Sequence, residues 1–214
     1  MSFTAQDRYE NKGRMTMKII VATKNTNKIR EIREIFSPLG FEVISQTEAG
    51  IDIDVEETGD TFEKNALIKA RAVSLVCDDY VLADDSGLCV EALDGRPGVY
   101  SARYAGEGAS DSDKINKLLG EMQGVDNRRA KFMTSVAFIM PDGTELVTSG
   151  EVCGRILLRP EGENGFGYDP VFFSDELGKS FAVATAEEKN SVSHRSRALK
   201  ALYTKLNQLA EEEK

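Results

Sequence analysis

Three polar segments of this chain carry the residue types that bind a nucleotide. The first, 23–28 (Thr-Lys-Asn-Thr-Asn-Lys), joins a short apolar run to an amphipathic helical pattern. The second is the acidic pair Asp84-Asp85, which follows another apolar run. The third is the glycine-rich segment 165–170, with the cations of 189–195 after it. Amide donors at a helix start, several cations and a few carboxylates together indicate metal-dependent chemistry on a nucleotide.

Segment 23–28 predicts either a phosphate-binding loop or an ordinary helix start. The first turn of a helix presents unpaired backbone amides and the positive end of the helix dipole, which suit a phosphate group. In the alternative interpretation, Asn25 or Asn27 only caps the helix. The segment taken alone favours neither.

Two acidic pairs offer the hard oxygen ligands that Mg²⁺ prefers. Glu56-Glu57 alone is typical of a solvated turn. Asp84-Asp85 follows the strand candidate 80–83 directly, and ligand sites form at strand ends in α/β sheets. We expect one carboxylate of that pair to bind a metal and the other to activate water.

The remaining polar candidates each allow a structural and a functional interpretation. Lys69, on a predicted helix face, is typical of a surface lysine. Phe166 and Tyr168 can stack on a base or simply pack within a turn. His194 and Arg195 can donate to the carbonyl group of a base, whereas a lone histidine is more often a cap or core residue. The residues themselves leave these alternatives open.

The composition predicts no nucleic-acid partner and no membrane partner. The net charge is −9 and the isoelectric point is about 4.9, whereas a broad nucleic-acid surface is basic. No apolar run reaches the ~20 residues that span a bilayer. The three cysteines are scattered and fit reduced thiols, so we expect a cytoplasmic protein.

The 214 residues fit one domain or two tightly packed lobes. Segment 1–16 is polar and lacks the apolar core of a signal peptide. We expect 1–16 to be a disordered N-terminal extension or an expression remnant, and 17–210 to form a single domain.

The order of elements predicts an α/β fold with a mixed twisted central sheet, flanking helices and two lobes around an active-site cleft. Helical and strand patterns alternate early in the chain, and an antiparallel stretch follows. Strand 80–83 is expected to end at the aspartate pair, with 88–90 continuing after a turn. Strands 131–140 and 144–152 form a predicted hairpin, and 154–158 is the candidate third strand of that meander.

The ordered set of motifs resembles the inosine triphosphate pyrophosphatase family, the non-canonical purine NTP pyrophosphatases. The resemblance runs from Lys18 to about Leu209. One departure is Lys24, where bacterial members often have glycine. The matching motifs, in chain order, are Ala22-Thr23-x-Asn25-x-x-Lys28, Glu56-Glu57-Thr58-Gly59-x-Thr61-Phe62-x-x-Asn65-Ala66, Ala83-Asp84-Asp85-Ser86-Gly87-Leu88, Pro97-Gly98-Val99-Tyr100-Ser101-Ala102-Arg103-Tyr104, Gly165-Phe166-Gly167-Tyr168-Asp169-Pro170 and Glu188-Lys189-Asn190-x-x-Ser193-His194-Arg195.

This resemblance implies a Mg²⁺-dependent homodimeric enzyme that hydrolyses ITP, dITP and XTP to the monophosphate and pyrophosphate, and so cleanses the nucleotide pool. Asp85 matches the general base of the family. Glu56 or Glu57, together with Asp85, matches the metal site, and which glutamate leads stays open. The positions that match substrate contacts are Thr23, Lys24, Asn25, Thr26, Asn27, Lys28, Lys69, Ser86, Phe166, Gly167, Tyr168, Asp169, Lys189, His194 and Arg195.

Three alternatives differ in their chemistry. A related pyrophosphatase would act on modified pyrimidine or standard deoxynucleotides. A nucleotide-binding regulator would bind without turnover, but a sensor needs no water-activating carboxylate. A nucleic-acid-binding module is disfavoured by the acidic charge.

Overall fold

A seven-stranded mixed sheet forms the centre of the protein. The structure is a computed structural model that describes residues 17–212, so the expectation for 1–16 lies outside the described residues. The strands are β1 (Met17–Val21), β2 (Phe41–Ser45), β3 (Tyr80–Val90), β4 (Arg129–Ile139), β5 (Glu145–Ile156), β6 (Phe172–Ser174) and β7 (Lys179–Ser180). Their order across the sheet is β2-β1-β3-β4-β5-β6-β7. Strand β1 pairs in parallel with β2 and β3, and the other pairs are antiparallel.

Helices cover this sheet, and their starts follow capping chemistry. They are α1 (Thr26–Phe36), α2 (Phe62–Ser74), α3 (Asp111–Glu121), α4 (Ala186–Val192) and α5 (His194–Glu212). Thr61 caps α2 by accepting a hydrogen bond from the amide of Lys64. Capping boxes begin α3 and α4, because in each a hydroxyl and an acidic side chain satisfy each other's backbone amides.

The packing forms two lobes, which confirms the expected architecture. On one face of β3, Leu82 packs with α1 and α5; on the opposite face, Val81 packs with α2, because successive strand residues alternate in direction. Leu88, near the far end of β3, belongs to a separate core with α3, β4 and β6. The same long strand therefore supports both lobes. No helix within residues 17–212 has the length and apolar character needed to cross a membrane.

Strand β3 does not end at the aspartate pair, so the predicted break after 80–83 is wrong. The strand continues to Val90, because β4 pairs with it along the whole length from Val81 to Val90. Its parallel partner β1 pairs only as far as Leu82 and then leads into α1. The aspartates therefore lie where β1 ends, beside an edge of β3 that β1 leaves uncovered. Asp and Gly have low strand propensity, which is why the sequence suggested a turn there.

The prediction that 154–158 forms the third strand of the antiparallel meander is also wrong. Strand β5 runs continuously to Ile156, and β6 is the strand that pairs with it next. Gly154 lies opposite Ser174, and a Cβ added at Gly154 would come within 2.1 Å of the Phe173 carbonyl oxygen. The glycine thus permits close strand approach instead of marking a break.

Candidate active site

A cavity of about 480 Å³ lies where β1 ends and beside the middle of β3. Every site residue predicted above lines this cavity except Thr26, Glu56 and Asp84. The lining comes from the start of α1, the acidic segment before α2, the middle of β3, the glycine-rich segment and the junction of α4 with α5. Segments far apart in the chain thus form one cleft between the two lobes.

The start of α1 is a capped helix that also supplies a cation. Asn25 accepts hydrogen bonds from the amides of Asn27 (3.0 Å) and Lys28 (3.2 Å) through its Oδ1 atom, so the capping interpretation is confirmed for Asn25. The side chain of Lys28 is nearly buried, and its Nζ lies 3.3 Å from the carbonyl oxygen of Asp84. This segment therefore contributes an ammonium group to the cavity, and two of its amides are already bonded within the helix.

Asp85 lies on the α2 side of β3 and is held by two donors. Asn65 Nδ2 is 3.2 Å from its Oδ2 atom, and Lys69 Nζ is 3.1 Å from its Oδ1 atom. Burial raises the pKa of Asp85, and this outweighs the opposite effect of Lys69. A carboxylate with a raised pKa is a stronger proton acceptor, which is the property that a general base needs.

Asp84 points to the opposite face and serves a different purpose. Adjacent strand residues alternate in direction, so the expectation that one aspartate binds a metal while its neighbour activates water at the same site is wrong. Asp84 Oδ2 accepts hydrogen bonds from Arg195 Nε (3.1 Å) and Nη2 (2.8 Å). Burial disfavours its charge, but Arg195 and Lys28 outweigh burial and hold the pKa of Asp84 well below its usual range. Asp84 is therefore a fixed anion that positions Arg195.

Glu31 is the functional residue that sequence reasoning missed. It is 5% exposed and lies on α1, where it accepts hydrogen bonds from Arg195 and, at 2.8 Å, from Lys189. Burial opposes its charge, but Arg195 and Lys189 lower the pKa of Glu31 to about 2. A signal was present: Glu31 lies three residues after Lys28, so both share one face of α1.

Asn65 is a second residue whose role the sequence showed only in part. Its Oδ1 accepts a hydrogen bond from the amide of Gly59 at 2.7 Å, and this fixes the amide group that donates to Asp85. A Cβ added at Gly59 would lie 2.5 Å from the same Oδ1 atom. The glycine before α2 therefore allows the contact that orients the carboxylate.

The aromatic side of the cavity surrounds a buried histidine. His194 stacks on Phe132 with ring centroids 4.9 Å apart, and burial keeps its pKa well below the usual value. The imidazole is thus neutral near pH 7, and its buried Nδ1 has no partner within the described part of the chain. Lys189 Nζ lies 4.8 Å from the Phe166 ring centroid, and Tyr168 donates its hydroxyl to the Ser101 carbonyl at 3.0 Å.

The glycine-rich segment folds around the carboxylate of Asp169. The amide of Phe166 donates to Asp169 Oδ2 at 2.9 Å, and Lys189 donates to the same oxygen. Gly165 has φ +77°, and a Cβ there would come within 2.1 Å of that oxygen. This arrangement sets the position of the Phe166 ring at the cavity.

The sequence also matches the model of a known family over residues 19–205, which is most of the chain. The chain belongs to the Ham1 family. Among curated relatives of this Ham1 chain, the dITP/XTP pyrophosphatase of Thermoanaerobacter sp. (strain X514) is 51% identical, covering 87% of the chain and 94% of the relative. The dITP/XTP pyrophosphatase of Haemophilus influenzae is 47% identical, covering 90% of the chain and 100% of the relative.

A solved structure supports the same family. The Staphylococcus aureus Ham1 protein superposes with a TM-score of 0.80 at 43% identity, covering 89% of this chain and 98% of that one. The family resemblance carried by the motifs is confirmed. The fold predicted from the order of elements is confirmed as well.

Within this Ham1 chain, the two candidate glutamates differ in position. Glu57 lines the cavity and accepts a hydrogen bond from Lys69 at 2.8 Å, so it shares that lysine with Asp85. Glu56 is exposed and does not line the cavity. Residues 17–212 contain no cluster of three or more His, Cys, Asp or Glu side chains arranged as a metal site. A cation held by Glu57 and Asp85 would therefore complete its shell with water and substrate oxygens, as Mg²⁺ commonly does.

Lys24 makes ion pairs across the mouth of the cavity. Its Nζ lies 3.1 Å from Asp52 and 3.6 Å from Asp54, and all three side chains are exposed. These carboxylates raise the pKa of Lys24, so it stays charged. Exposed pairs of this kind are weak, and a phosphate group can compete for the ammonium.

Gly87 offers a test of how tightly the cleft is built. A Cβ at Gly87 would lie 2.3 Å from the Gly98 carbonyl oxygen and 2.5 Å from Ser101 Oγ. We expect Gly87→Ala to lower the free energy of unfolding by about 1–3 kcal/mol, the usual cost of overpacking. Urea unfolding measures this free energy. Gly120→Ala is the control, because Gly120 lies at an exposed position of α3 with open space around it. It should raise the free energy of unfolding by about 0.5–1 kcal/mol. Equal stability of the two variants would contradict the close packing at Gly87.

Proposed function

We propose that this chain hydrolyses deaminated purine nucleoside triphosphates, namely ITP, dITP and XTP, to the monophosphate and pyrophosphate. The reaction removes these nucleotides before they enter DNA or RNA. The observation that carries the proposal is the cleft in which Asp85 is held by Asn65 and Lys69, with aromatic residues on its other side. The two relatives described above, both dITP/XTP pyrophosphatases, support it.

In this mechanism Asp85 accepts a proton from a water molecule that attacks the α-phosphorus. The bond between the α- and β-phosphates breaks, and pyrophosphate leaves. Lys69 and Asn65 hold the Asp85 carboxylate in one orientation, so the proton acceptor needs little rearrangement. Lys28 and Lys69 place positive charge at the cavity, where negative charge builds up on the departing group.

Base selection is proposed to act through donors directed at the 6-oxo group. His194 and Arg195 line the cavity next to the aromatic side chains. Adenine carries a 6-amino group, which would leave such donors unpaired, and sites of this kind reject analogues by about 10⁴-fold. Guanine also has a 6-oxo group, so its exclusion requires contact with the 2-amino group.

We propose Mg²⁺ as the cofactor, with Glu57 and Asp85 as its protein ligands. When bound, the cation neutralises phosphate charge. Glu57→Gln should raise the Mg²⁺ concentration for half-maximal activity by more than about 10-fold, since outer-shell changes alone cost 10–100-fold. The matched control Glu56→Gln should leave it unchanged, because Glu56 is exposed. A Mg²⁺ titration of ITP hydrolysis measures both, and a larger effect at Glu56 would reverse the assignment.

A homodimer in the cytoplasm, without nucleic-acid or membrane partners, completes the proposal. The family resemblance supports the dimer, and the net charge of −9 supports the absence of a nucleic-acid surface. Light scattering distinguishes a 23.5 kDa monomer from a dimer of twice that mass.

The experiment that tests the function compares ITP and XTP with ATP, GTP and modified pyrimidine nucleotides, with and without Mg²⁺. Chromatography should find monophosphate and pyrophosphate, with ITP and XTP preferred. Stepwise release of phosphate would mean that a different bond is cut. Preference for a pyrimidine would favour the related pyrophosphatase, and binding without turnover would favour the regulator.

A further inference from the structure

Segment 97–104 belongs to the family resemblance but has no part in the mechanism above. Its short helix, Gly98–Arg103, is fastened to the strand that carries Asp85. Ser101 Oγ accepts a hydrogen bond from the amide of Leu88 (2.9 Å) and donates to the Gly98 carbonyl (2.6 Å). Because Gly87 has no Cβ, the helix can contact β3 directly. The end of this helix therefore has a fixed position beside the cleft.

Arg103 ends that helix and approaches the residues around Asp85. Its Nη1 lies 3.9 Å from Glu57 Oε2, a distance too long for a hydrogen bond. Its guanidinium carbon lies 5.1 Å from the Tyr100 ring centroid, and 35% of the side chain is exposed. The guanidinium makes no hydrogen bond to any other residue in the described range 17–212, so its donors face solvent beside Glu57.

The cations that line the cavity differ from Arg103 because they are paired with carboxylates. Each has a carboxylate oxygen within 3.4 Å among residues 17–212. They are Lys24, Lys28, Lys69, Lys114, Lys189 and Arg195. A triphosphate that enters the cavity must compete with those carboxylates. Arg103 has no such competitor at hydrogen-bond distance, and a guanidinium fork matches two phosphate oxygens at once.

We propose that Arg103 binds the pyrophosphate portion of the triphosphate substrate. The inference rests on the proposed function, because it takes Asp85 as the proton acceptor at the α-phosphorus. Glu57 and Asp85 share Lys69, and Arg103 lies 3.9 Å from Glu57, so Arg103 adjoins the charged residues around the proposed base. The guanidinium carbon of Arg103 lies over the Tyr100 ring, in a cation–π contact that helps to hold the side chain.

Calorimetry with inorganic pyrophosphate and with IMP, each in the presence of Mg²⁺, tests this assignment directly. Arg103→Ala should weaken pyrophosphate binding by about 10- to 100-fold, as expected for a charged hydrogen bond, and leave IMP binding unchanged. The KM for ITP should rise. Arg103→Lys should recover part of the pyrophosphate affinity, because lysine keeps the charge but lacks the fork. The control is Arg30→Ala, which removes the same charge from an exposed arginine on α1 and should bind pyrophosphate like wild type.

Two results would overturn the proposal for Arg103. One is pyrophosphate binding by Arg103→Ala equal to that of Arg30→Ala. The other is an equal loss of IMP and pyrophosphate affinity, which would indicate a general distortion of the cleft. If Arg103→Ala does not fold, the test uses Arg103→Lys instead. Wild-type pyrophosphate affinity in Arg103→Lys would contradict the proposal that the guanidinium binds two phosphate oxygens. Failure of the proposed function would be seen separately, as absence of ITP hydrolysis by the wild-type protein.

Discussion

Replacing Asp85 with asparagine should lower kcat for ITP by about 10²- to 10⁴-fold, the range that a positioned proton acceptor contributes. Asparagine keeps the size of the side chain and can still contact Asn65 and Lys69. It cannot accept a proton from water. Because the cavity keeps its shape, we expect the variant to bind ITP.

Single-turnover hydrolysis and calorimetry separate these two effects. Asp78→Asn is the matched control, because Asp78 is exposed just before the same strand and its replacement removes the same charge. We expect Asp78→Asn to hydrolyse ITP at the wild-type rate. Near-normal turnover by Asp85→Asn would exclude Asp85 as the base. Loss of binding equal to the loss of rate would mean that Asp85 acts through its charge in the ground state.

The sequence was most informative where structure depends on near neighbours. Asn25 caps α1, as one interpretation of segment 23–28 held, and Thr61 and Ser110 cap α2 and α3 through the same local chemistry. The apolar residues of α1 and α5 recur with the 3.6-residue period of a helix, and Ile32 and Leu202 are buried together. These features need only a few consecutive residues, and such patterns are local.

The sequence was least informative where the decisive contact comes from far along the chain. The length of β3 is set by β4, about fifty residues later, and that pairing outweighs the low strand propensity of the Asp-Asp-Ser-Gly run. The opposite directions of Asp84 and Asp85 follow from strand alternation once the strand is known to continue. The prediction of a turn at this point concealed that consequence.

The buried ion pairs that Glu31 makes with Lys189 and Arg195 could not be predicted from the sequence for the same reason. Glu31 meets Lys189 and Arg195 across sequence separations of 158 and 164 residues. The spacing from Lys28 places Glu31 on one face of α1, but no local pattern shows that it is buried with Lys189 and Arg195. The motifs predicted the cations, and only the fold shows which anions neutralise them.

Replacing Glu31 with alanine should lower the free energy of unfolding by about 3–5 kcal/mol, because it leaves Arg195 and Lys189 buried with one anion fewer. Arg195 and Lys189 would also lose their common anchor, so ITP turnover should fall. Urea unfolding gives the first quantity. Glu34→Ala is the control from the same helix: Glu34 is exposed, and its loss should change stability by less than about 0.5 kcal/mol.

The pH dependence of stability separates the charge of Glu31 from its packing. The pKa of Glu31 is 4.5 when unperturbed and about 2 in the folded protein. A lowered folded-state pKa means that the stabilisation is complete above pH 4.5 and is lost as the pH falls toward 2. The gap corresponds to about 3 kcal/mol, which agrees with the expected cost of removing the carboxylate. The free energy of unfolding of the wild type should therefore exceed that of Glu31→Gln by about that amount at pH 7. This difference should narrow as the pH falls from 4.5 toward 2. A difference that stays constant with pH would show that Glu31 acts through shape and hydrogen bonding, since only a charge that titrates on unfolding makes stability depend on pH.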